Sequence, residues 1–379
     1  MTGPVAVVGG GLAGASAAVR LATAGRAVVL FERTTGPHDK VCGEFLSFEA
    51  IEALREIGLE PRALGAVPID RVTVCVGGRR TTSTLPFEAL SLSRRVLDEA
   101  LLELAERSGV EVRRGKRVRA LAPCAQGWAL ALAAGAGTLT ASDVFLATGK
   151  HEVRGYGRPP GGHDDLIGFK LHLAPPASLR DAVAGEVSLH LFDGGYAGLE
   201  PIEGDLANLC LVVRKARFAA LGLSWPRLVE SLARTCPFLA PVLGSSKAGT
   251  AKPLAIAAIP YGHVQSAAEP GLWRLGDQAA VIPSFAGEGM AIALHSGRLA
   301  ADRLLSGASS GVYQRALATD VGRRVRGATW LSRAMVTGPG RMAASALLAA
   351  VPSAPVRIGL WTRLPTRVAT GRQARLEPV

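Results

Sequence analysis

Val5-Ala-Val-Val-Gly9-Gly10-Gly11-Leu12-Ala13-Gly14, answered by Glu32 at the end of the next apolar run, is the stretch that decides the fold. Four apolar residues, 5–8, suit a strand buried on both faces. Gly9, Gly11 and Gly14 fit the spacing G-x-G-x-x-G. The first allows a tight turn, the second lets a pyrophosphate approach the backbone, and the third lets the following helix lie close to the sheet. A helix over residues 12–24 offers its positive end, beginning with Leu12 and Ala13, to phosphates. Residues 27–31 read as the second strand. Glu32 then stands where a carboxylate accepts a ribose hydroxyl. An acid at that point favours FAD or NAD over NADP, while Arg33 beside it would suit a 2′-phosphate. The unit reads as a dinucleotide site in an α/β domain.

The rest of the composition is compatible with that reading. A chain of 379 residues with 48% hydrophobic and 20% charged residues describes a globular protein with a sizeable core. The N-terminus carries no basic region or cleavage site of a secretory signal, and no stretch approaches the ~20 apolar residues that span a bilayer. Cys42, Cys75, Cys124, Cys210 and Cys236 are odd in number and scattered, with no C-x-x-C pair. They fit a reducing cytoplasm and form no metal signature. The net charge of +12 is concentrated at the end of the chain: residues 311–379 hold 11 Arg against Asp320 and Glu377. A solvated helical face accounts for such a tail. So does contact with an anionic membrane or an acidic carrier protein. No nucleic-acid-binding motif accompanies it, and no nucleic-acid partner is expected.

Along the chain the hydrophobic period switches repeatedly, as in a mixed α/β protein. A helix is expected over 48–57 after a Ser47 cap, a hairpin over 72–84 across Gly77-Gly78, and a helix after Ser93 that stops at Gly109. Strands are expected at 110–112, 118–121, 128–132, 144–147, 167–173, 187–192, 207–213 and 273–277. Helices are expected near 215–221, 225–235 and 289–305. The tail reads as helical, interrupted by Pro339, Pro352, Pro355 and Pro365.

Two further runs carry chemistry. Phe145-Leu-Ala-Thr148-Gly149 is a strand whose end brings backbone close to a cofactor. Gly276-Asp277-Gln278-Ala-Ala-Val-Ile-Pro283-Ser284-Phe-Ala-Gly287-Glu-Gly289-Met290 offers a carboxylate for a polyol hydroxyl and then a helix whose N–H groups face developing negative charge.

Three motifs in this order resemble the FAD-dependent oxidoreductases related to aromatic hydroxylases, geranylgeranyl reductases and flavin halogenases, over about residues 3–305. The resemblance implies that Gly9, Gly11, Gly14 and Glu32 bind the ADP part of FAD. It places Asp277 at the ribityl or phosphate portion, and Gly287, Gly289 and Met290 beside the isoalloxazine. Arg94, with Arg95 as the alternative, matches a cofactor-contacting arginine at a helix start. Lys40-Val-Cys42-Gly43-Glu44 is similar to the flavin-facing loop of geranylgeranyl reductases. The departure falls at Gly195-Tyr196-Ala-Gly198-Leu-Glu200-Pro201. Reductases of this group carry Tyr-x-Trp-x-Phe-Pro here and halogenases Trp-x-Trp-x-Ile-Pro, so two large apolar walls are missing.

The fold that follows is α/β: a Rossmann-like FAD-binding domain (residues 1–70, 90–160 and 265–310), an inserted β-sheet substrate domain (71–89 and 161–264) and a basic, mostly helical C-terminal segment (311–379). The leading functional expectation is a monooxygenase of secondary metabolism that inserts oxygen into an apolar or aromatic small molecule, with FAD as cofactor and NAD(P)H as transient reductant. A geranylgeranyl-reductase-like reduction of a carbon–carbon double bond is the first alternative. A non-redox flavoprotein, acting as a cyclase or membrane-surface module through the tail with Trp330 and Trp361, is the second. Lys170 and His172, on one face of a strand by period two, are candidates with Cys42 for catalysis. Tyr196, Gly198, Glu200 and Pro283 are candidates for the substrate wall, and His295 reads as a packed core residue. A cytoplasmic location is expected, with a membrane-peripheral one left open by the tail.

Overall fold

The computed structural model describes residues 3–133, 137–159 and 165–365. The glycine stretch folds as expected. A parallel five-stranded sheet, in the order β16-β10-β1-β2-β6, consists of β1 (Val5–Val8), β2 (Val28–Glu32), β6 (Glu111–Arg114), β10 (Asp143–Leu146) and β16 (Leu272–Arg274). Residues Val5 to Val8 are all buried, which is why the strand carries no polar alternation. Helix α1 (Leu12–Thr23) leaves the end of β1 and packs against α3 (Arg94–Arg107) and α8 (Gly289–Leu305).

The turn between β1 and α1 tolerates little else than glycine. Gly9 has φ +109°, and a Cβ there would lie 2.4 Å from the Ala147 carbonyl oxygen. A Cβ on Gly14 would lie 2.0 Å from the Gly9 carbonyl oxygen, so α1 can approach the strand only without a side chain there.

The second sheet has eight strands in the order β15-β11-β14-β13-β12-β4-β5-β3. They are β3 (Phe45–Leu46), β4 (Val67–Val76), β5 (Arg79–Ser91), β11 (Leu166–Leu173), β12 (Glu186–Phe192), β13 (Gly195–Ile202), β14 (Leu206–Arg214) and β15 (Leu254–Ala257). The pairing is antiparallel apart from the β4–β12 seam. On its outer face Phe169, Phe218 and Trp225 pack ring against ring at 5.1 and 5.3 Å. Helices α4 (Ala177–Val183), α5 (Lys215–Ala220), α6 (Trp225–Thr235) and α7 (Ala240–Ser245) accompany this sheet. A small sheet of β7 (Val118–Cys124), β8 (Gly127–Leu132) and β9 (Thr138–Ala141) stands beside the first.

Several expectations need adjustment. The 72–84 hairpin is longer, running from Val67 to Ser91, and the large sheet also takes in Phe45–Leu46, so residues assigned by sequence to the first domain pair with the second. Strand β13 escapes the hydrophobic pattern because glycine, glutamate and proline interrupt it, and pairing on both sides by β12 and β14 overrides weak local propensity. Ser47 precedes α2 (Phe48–Glu56) without a side-chain bond to it, whereas Ser93 Oγ accepts from Val96 N–H at 3.3 Å at the start of α3.

The tail forms α9 (Ser310–Met335), α10 (Gly338–Ala350) and α11 (Ala354–Thr362). Pro339 and Pro355 lie in the first turns of α10 and α11, where a missing N–H costs nothing, so they start helices as well as interrupt the tail. Pro365 ends the described residues. Helix α9 is tied to the first sheet by Tyr313, whose hydroxyl donates to the Arg274 carbonyl at 2.9 Å and whose ring packs on Trp273 at 5.6 Å. Helix α11 is tied down just beyond its end: Arg363 donates to both Glu49 oxygens at 2.7 Å and lies 3.5 Å over the Phe87 ring.

Gly14→Ala is expected to lower stability by about 1–3 kcal/mol, because the new methyl meets fixed backbone. The check is the urea midpoint at unchanged slope. An unshifted midpoint would show that α1 can draw back from β1.

Candidate cofactor and substrate site

A cavity of about 880 Å³ begins at the Gly9–Ala13 turn, follows the C-terminal ends of the first sheet, passes under the inner face of the large sheet and ends against α9, α10 and α11. Its two halves differ in chemistry.

The first half is charged. Helix α1 starts at Gly11 with no side-chain cap and no acid in its first turn. A Cβ on Gly11 would point at Arg94 Nη2 (3.4 Å) and Lys40 Nζ (3.6 Å). Two cations thus converge on a helix N-terminus that exposes backbone, the donor set a diphosphate needs. Both cations are held by Asp98: Arg94 Nε and Nη2 donate at 2.8 and 2.9 Å, and Lys40 lies 2.6 Å away. Arg94 is therefore the helix-start arginine that reaches the cleft, while Arg95 does not line this cavity.

Glu32 is 5% exposed and accepts from Gly10 N–H at 2.9 Å and Thr34 N–H at 3.0 Å. Burial would raise its carboxyl, but the Thr34 backbone bond and the Lys40 charge outweigh it and hold it below the ordinary carboxylate range. The charged group keeps lone pairs for a ribose hydroxyl. Arg33 stands exposed at the rim, and Thr148 and Gly149 line the opposite side. Asp277 pairs with Lys150 at 3.2 Å, and Gln278 donates to the Gly149 carbonyl at 2.9 Å. Burial alone would raise the Asp277 carboxyl; Lys150 and Arg158 reverse that and keep it ionised. These residues fit an FAD whose diphosphate would lie at Gly11, Lys40 and Arg94, with its ribose at Glu32. Its ring end would lie toward Gly287, Gly289 and Met290, which line the same cavity.

Where the halves meet, a buried glutamate organises the wall. Glu44 is fully buried, yet its backbone has φ +63°, in the left-handed region that an ordinary side chain avoids. Its Oε1 accepts from Lys170 Nζ and from Arg94 N–H (2.7 Å), and its Oε2 meets His172 Nε2 at 2.8 Å. Burial would raise this carboxyl; the His172 hydrogen bond and the Lys170 charge hold it below the usual range. Asn208 Nδ2 donates to the carbonyls of Cys42 (3.1 Å) and Gly43 (2.9 Å) and fixes the same loop.

Lys170 and His172 therefore stand behind Glu44, and neither lines the cavity. The expectation that one of them reaches substrate is corrected to a positioning role through Glu44. Cys42 does face the cavity, and its Sγ accepts from Glu44 N–H at 3.4 Å. Pro283 and Gly14 are buried away from the cavity; Pro283 precedes the turn that carries Ser284, and Gly14 acts by spacing. His295 is 2% exposed and bonds Asp320 at 2.9 Å, as a packed histidine does.

Beyond Glu44 the wall turns apolar. Val74, Leu189, Ile256, Met335 and Leu348 are among its residues. Gly198 opens the sheet face there. Polar groups are few. Tyr196 and Tyr261 hydroxyls both meet Ser284 Oγ at 3.1 Å. Glu200, 3% exposed, has an Oε2 without a protein partner. Burial, then the Glu44 charge, push its carboxyl well above the usual range, which favours the protonated form.

Sequence reasoning placed Lys40 and Glu44 in the flavin-facing loop without giving them a role, and missed Lys150 and Asn208. Lys150 follows Gly149, so adjacency to a motif was the available signal there. Asn208 had none, because only strand register brings it opposite Glu200.

Residues 2–132 match the FAD binding domain family. Together with the fold, this supports an FAD-dependent oxidoreductase, with a fold similar to that of flavin monooxygenases and flavin halogenases. Among particular relatives, it is 25% identical over 367 residues to a menaquinone reductase of Mycobacterium tuberculosis (strain ATCC 25618 / H37Rv), covering 91% of this chain and 88% of that one. It is 24% identical over 316 residues to the menaquinone reductase of Mycolicibacterium smegmatis, covering 80% and 76%. In three dimensions it is similar to PqsL of Pseudomonas aeruginosa, solved with 2-aminobenzoylacetate (TM-score 0.73, 18% identity, 92% of this chain and 99% of that one). It is equally similar to the myxobacterial chondrochloren halogenase CndH (TM-score 0.73, 19% identity, 97% and 95%). At such identities the two structures speak to the fold.

At the N-terminus of α8, Glu288 is buried beside Glu49, and burial followed by that neighbour's charge pushes its carboxyl up to about 8. An unfolded chain ionises it near 4.5. Between these values the unfolded state loses a proton that the folded state keeps, so stability falls as pH rises through the window. Glu288→Gln is expected to flatten the dependence of melting temperature on pH between 5 and 8. An unchanged slope would show that Glu288 is already ionised in the folded protein.

Proposed function

We propose that this oxidoreductase is a monooxygenase that transfers one oxygen atom from O₂ to a lipophilic small molecule, aromatic or otherwise apolar at the reacting end, with NAD(P)H as transient reductant. The observation that carries this reading is one uninterrupted cavity joining a charged cleft suited to FAD and an apolar chamber. FAD, when bound, supplies the two-electron redox chemistry. The chain supplies the rest. Lys40 and Arg94 would neutralise the diphosphate, Glu32 would orient the ribose, and α9 to α11 keep water from the apolar end.

Glu200 lines the cavity, and in the protonated form that burial favours its carboxyl is suited to donate a hydrogen bond to a substrate carbonyl or phenol oxygen. It is a polar anchor in a mostly apolar wall. Replacement of aromatic walls by Gly198 and Glu200 argues against halogenation and favours a substrate with an oxygen at that point.

A second reading has specific support. The similarity to menaquinone reductases spans most of the chain, and Cys42-Gly43 lines the cavity. On that reading the same site reduces a carbon–carbon double bond of an isoprenoid-like molecule.

The two readings part over oxygen. Yellow, FAD-loaded protein assayed with NADPH and lipophilic phenols or quinones is expected to form product only in air, with NADPH oxidation accelerated by the substrate. Equal yield under argon would end the monooxygenase reading in favour of the reductase. Glu200→Ala is expected to raise KM about 3- to 10-fold for an oxygen-bearing substrate, the value of one hydrogen bond, while Glu200→Gln, which still donates, stays near wild type. Equal KM in both variants would remove Glu200 as the anchor.

A further inference from the structure

The outward face of α10 consists of Met342, Ala343, Ala346, Leu347, Ala349 and Ala350, all exposed. Met342 is 75% exposed and Leu347 44%. The one charged residue of this helix, Arg341, is turned inward onto Asp193 at 3.0 Å. Two tryptophans extend the patch: Trp330 on α9 is 70% exposed and Trp361 on α11 is 55% exposed. A Cβ on Gly327 would lie 2.1 Å from the Trp361 ring, so α11 lies directly on α9. Gly327 and Trp330 are three residues apart and share a face, which brings the indoles to one side.

The charge around this patch has one sign. Between residues 321 and 365 the sequence contains no Asp or Glu, and Arg323, Arg326 and Arg357 are exposed. The same helices form the end of the cavity: Trp330, Ala343 and Leu347 line it while reaching the surface, and Met335 and Leu348 line it from within. An apolar outer face therefore connects with the apolar chamber through one helical layer.

We propose that α9, α10 and α11 dock on the surface of an anionic lipid bilayer and that lipophilic substrate passes from the bilayer into the chamber beside Trp330, Ala343 and Leu347. Helices with an apolar face and flanking arginines lie in the plane of the interface, and tryptophan favours the headgroup level. No single described helix is long and apolar enough to cross a membrane; α10 and α11 are bent by 115° relative to each other. That bend suits helices lying on a surface. A second copy of the chain fits less well, because a two-fold contact would set Arg323, Arg326 and Arg357 against their own copies with no acid in the segment to answer them. The proposal is independent of which reaction the flavin performs.

The test is co-sedimentation of the full-length, FAD-loaded protein with vesicles of phosphatidylcholine alone or mixed with phosphatidylglycerol. Pelleting is expected with the mixed vesicles and much less with phosphatidylcholine. The double variant Met342→Asp/Leu347→Asp is expected to bind at least about tenfold more weakly. Arg323→Glu/Arg357→Glu is expected to lose the preference for phosphatidylglycerol. Both pairs are exposed, so unchanged flavin absorbance and melting temperature will show that the fold survives. If one pair fails that control, the other carries the test. Wild-type protein that stays in the supernatant, or a Met342/Leu347 variant that pellets as wild type does, would overturn the proposal. So would a dimer in sedimentation analysis that the same variant dissolves while vesicle binding is absent, which would assign the face to a second copy.

Discussion

One buried carboxylate joins the two halves of this protein. Glu44 lies in a loop of the nucleotide-binding half, and its partners Lys170 and His172 lie on the large sheet. Its left-handed backbone costs about 1–3 kcal/mol, and the cost is offset only while its oxygens stay saturated. The third partner, the Arg94 N–H, starts α3, whose Asp98 in turn holds the Arg94 side chain and Lys40. A run of contacts thus leads from the substrate sheet to the cations that face Gly11. Moving Glu44 would loosen both ends of the cavity, which explains why two fully engaged basic residues stand behind a wall they do not form.

The nucleotide-binding half was legible because its constraints are local. Gly14 is dictated by a contact within one strand–turn–helix unit, Gly9 by the positive φ of that turn as well as by Ala147 of the neighbouring segment, and Glu32 by the strand that follows. Helix α8 appeared with the expected bounds of 289–305 for the same reason. The substrate half was less legible because its strands owe their existence to neighbours far away in sequence. Strand β13 is held by register with β12 and β14 rather than by its own pattern, and Glu200 meets Asn208 only through that register. Period two correctly put Lys170 and His172 on one face of β11. It could not show that a glutamate 126 residues earlier would cover them. The basic tail was legible as charge and helix, but not as a cavity wall.

Within the site, charge is managed by pairing. Arg94 and Lys40 sit on Asp98, Lys150 on Asp277, and Lys170 on Glu44. Each pair offsets the desolvation of its members, and the first two leave their cations turned toward the cleft where a diphosphate brings negative charge. Two buried acids escape this scheme. Glu200 and Glu288 have no strong cationic partner of their own among the described residues, and each has a second carboxylate near it. Both respond as a buried acid must, by keeping the proton.

The position of those two neutral acids bears on how the apolar end works. Glu200 is on the sheet face and Glu288 at the start of α8, so both border the region where Gly287 to Met290 face the large sheet. Ionised, either would draw water into a chamber whose far wall is Met335 and Leu348. Neutral, they offer hydrogen bonds without adding charge. The Arg363–Glu49 clasp leaves this in place, because its guanidinium is bonded to Glu49 and stacked on the Phe87 ring, and its charge only partly offsets the burial of Glu288. The C-terminal helices are therefore held at their inner end by a saturated ion pair while their outer faces remain apolar. Such an arrangement keeps the wall in place without closing it to a molecule that arrives dissolved in lipid.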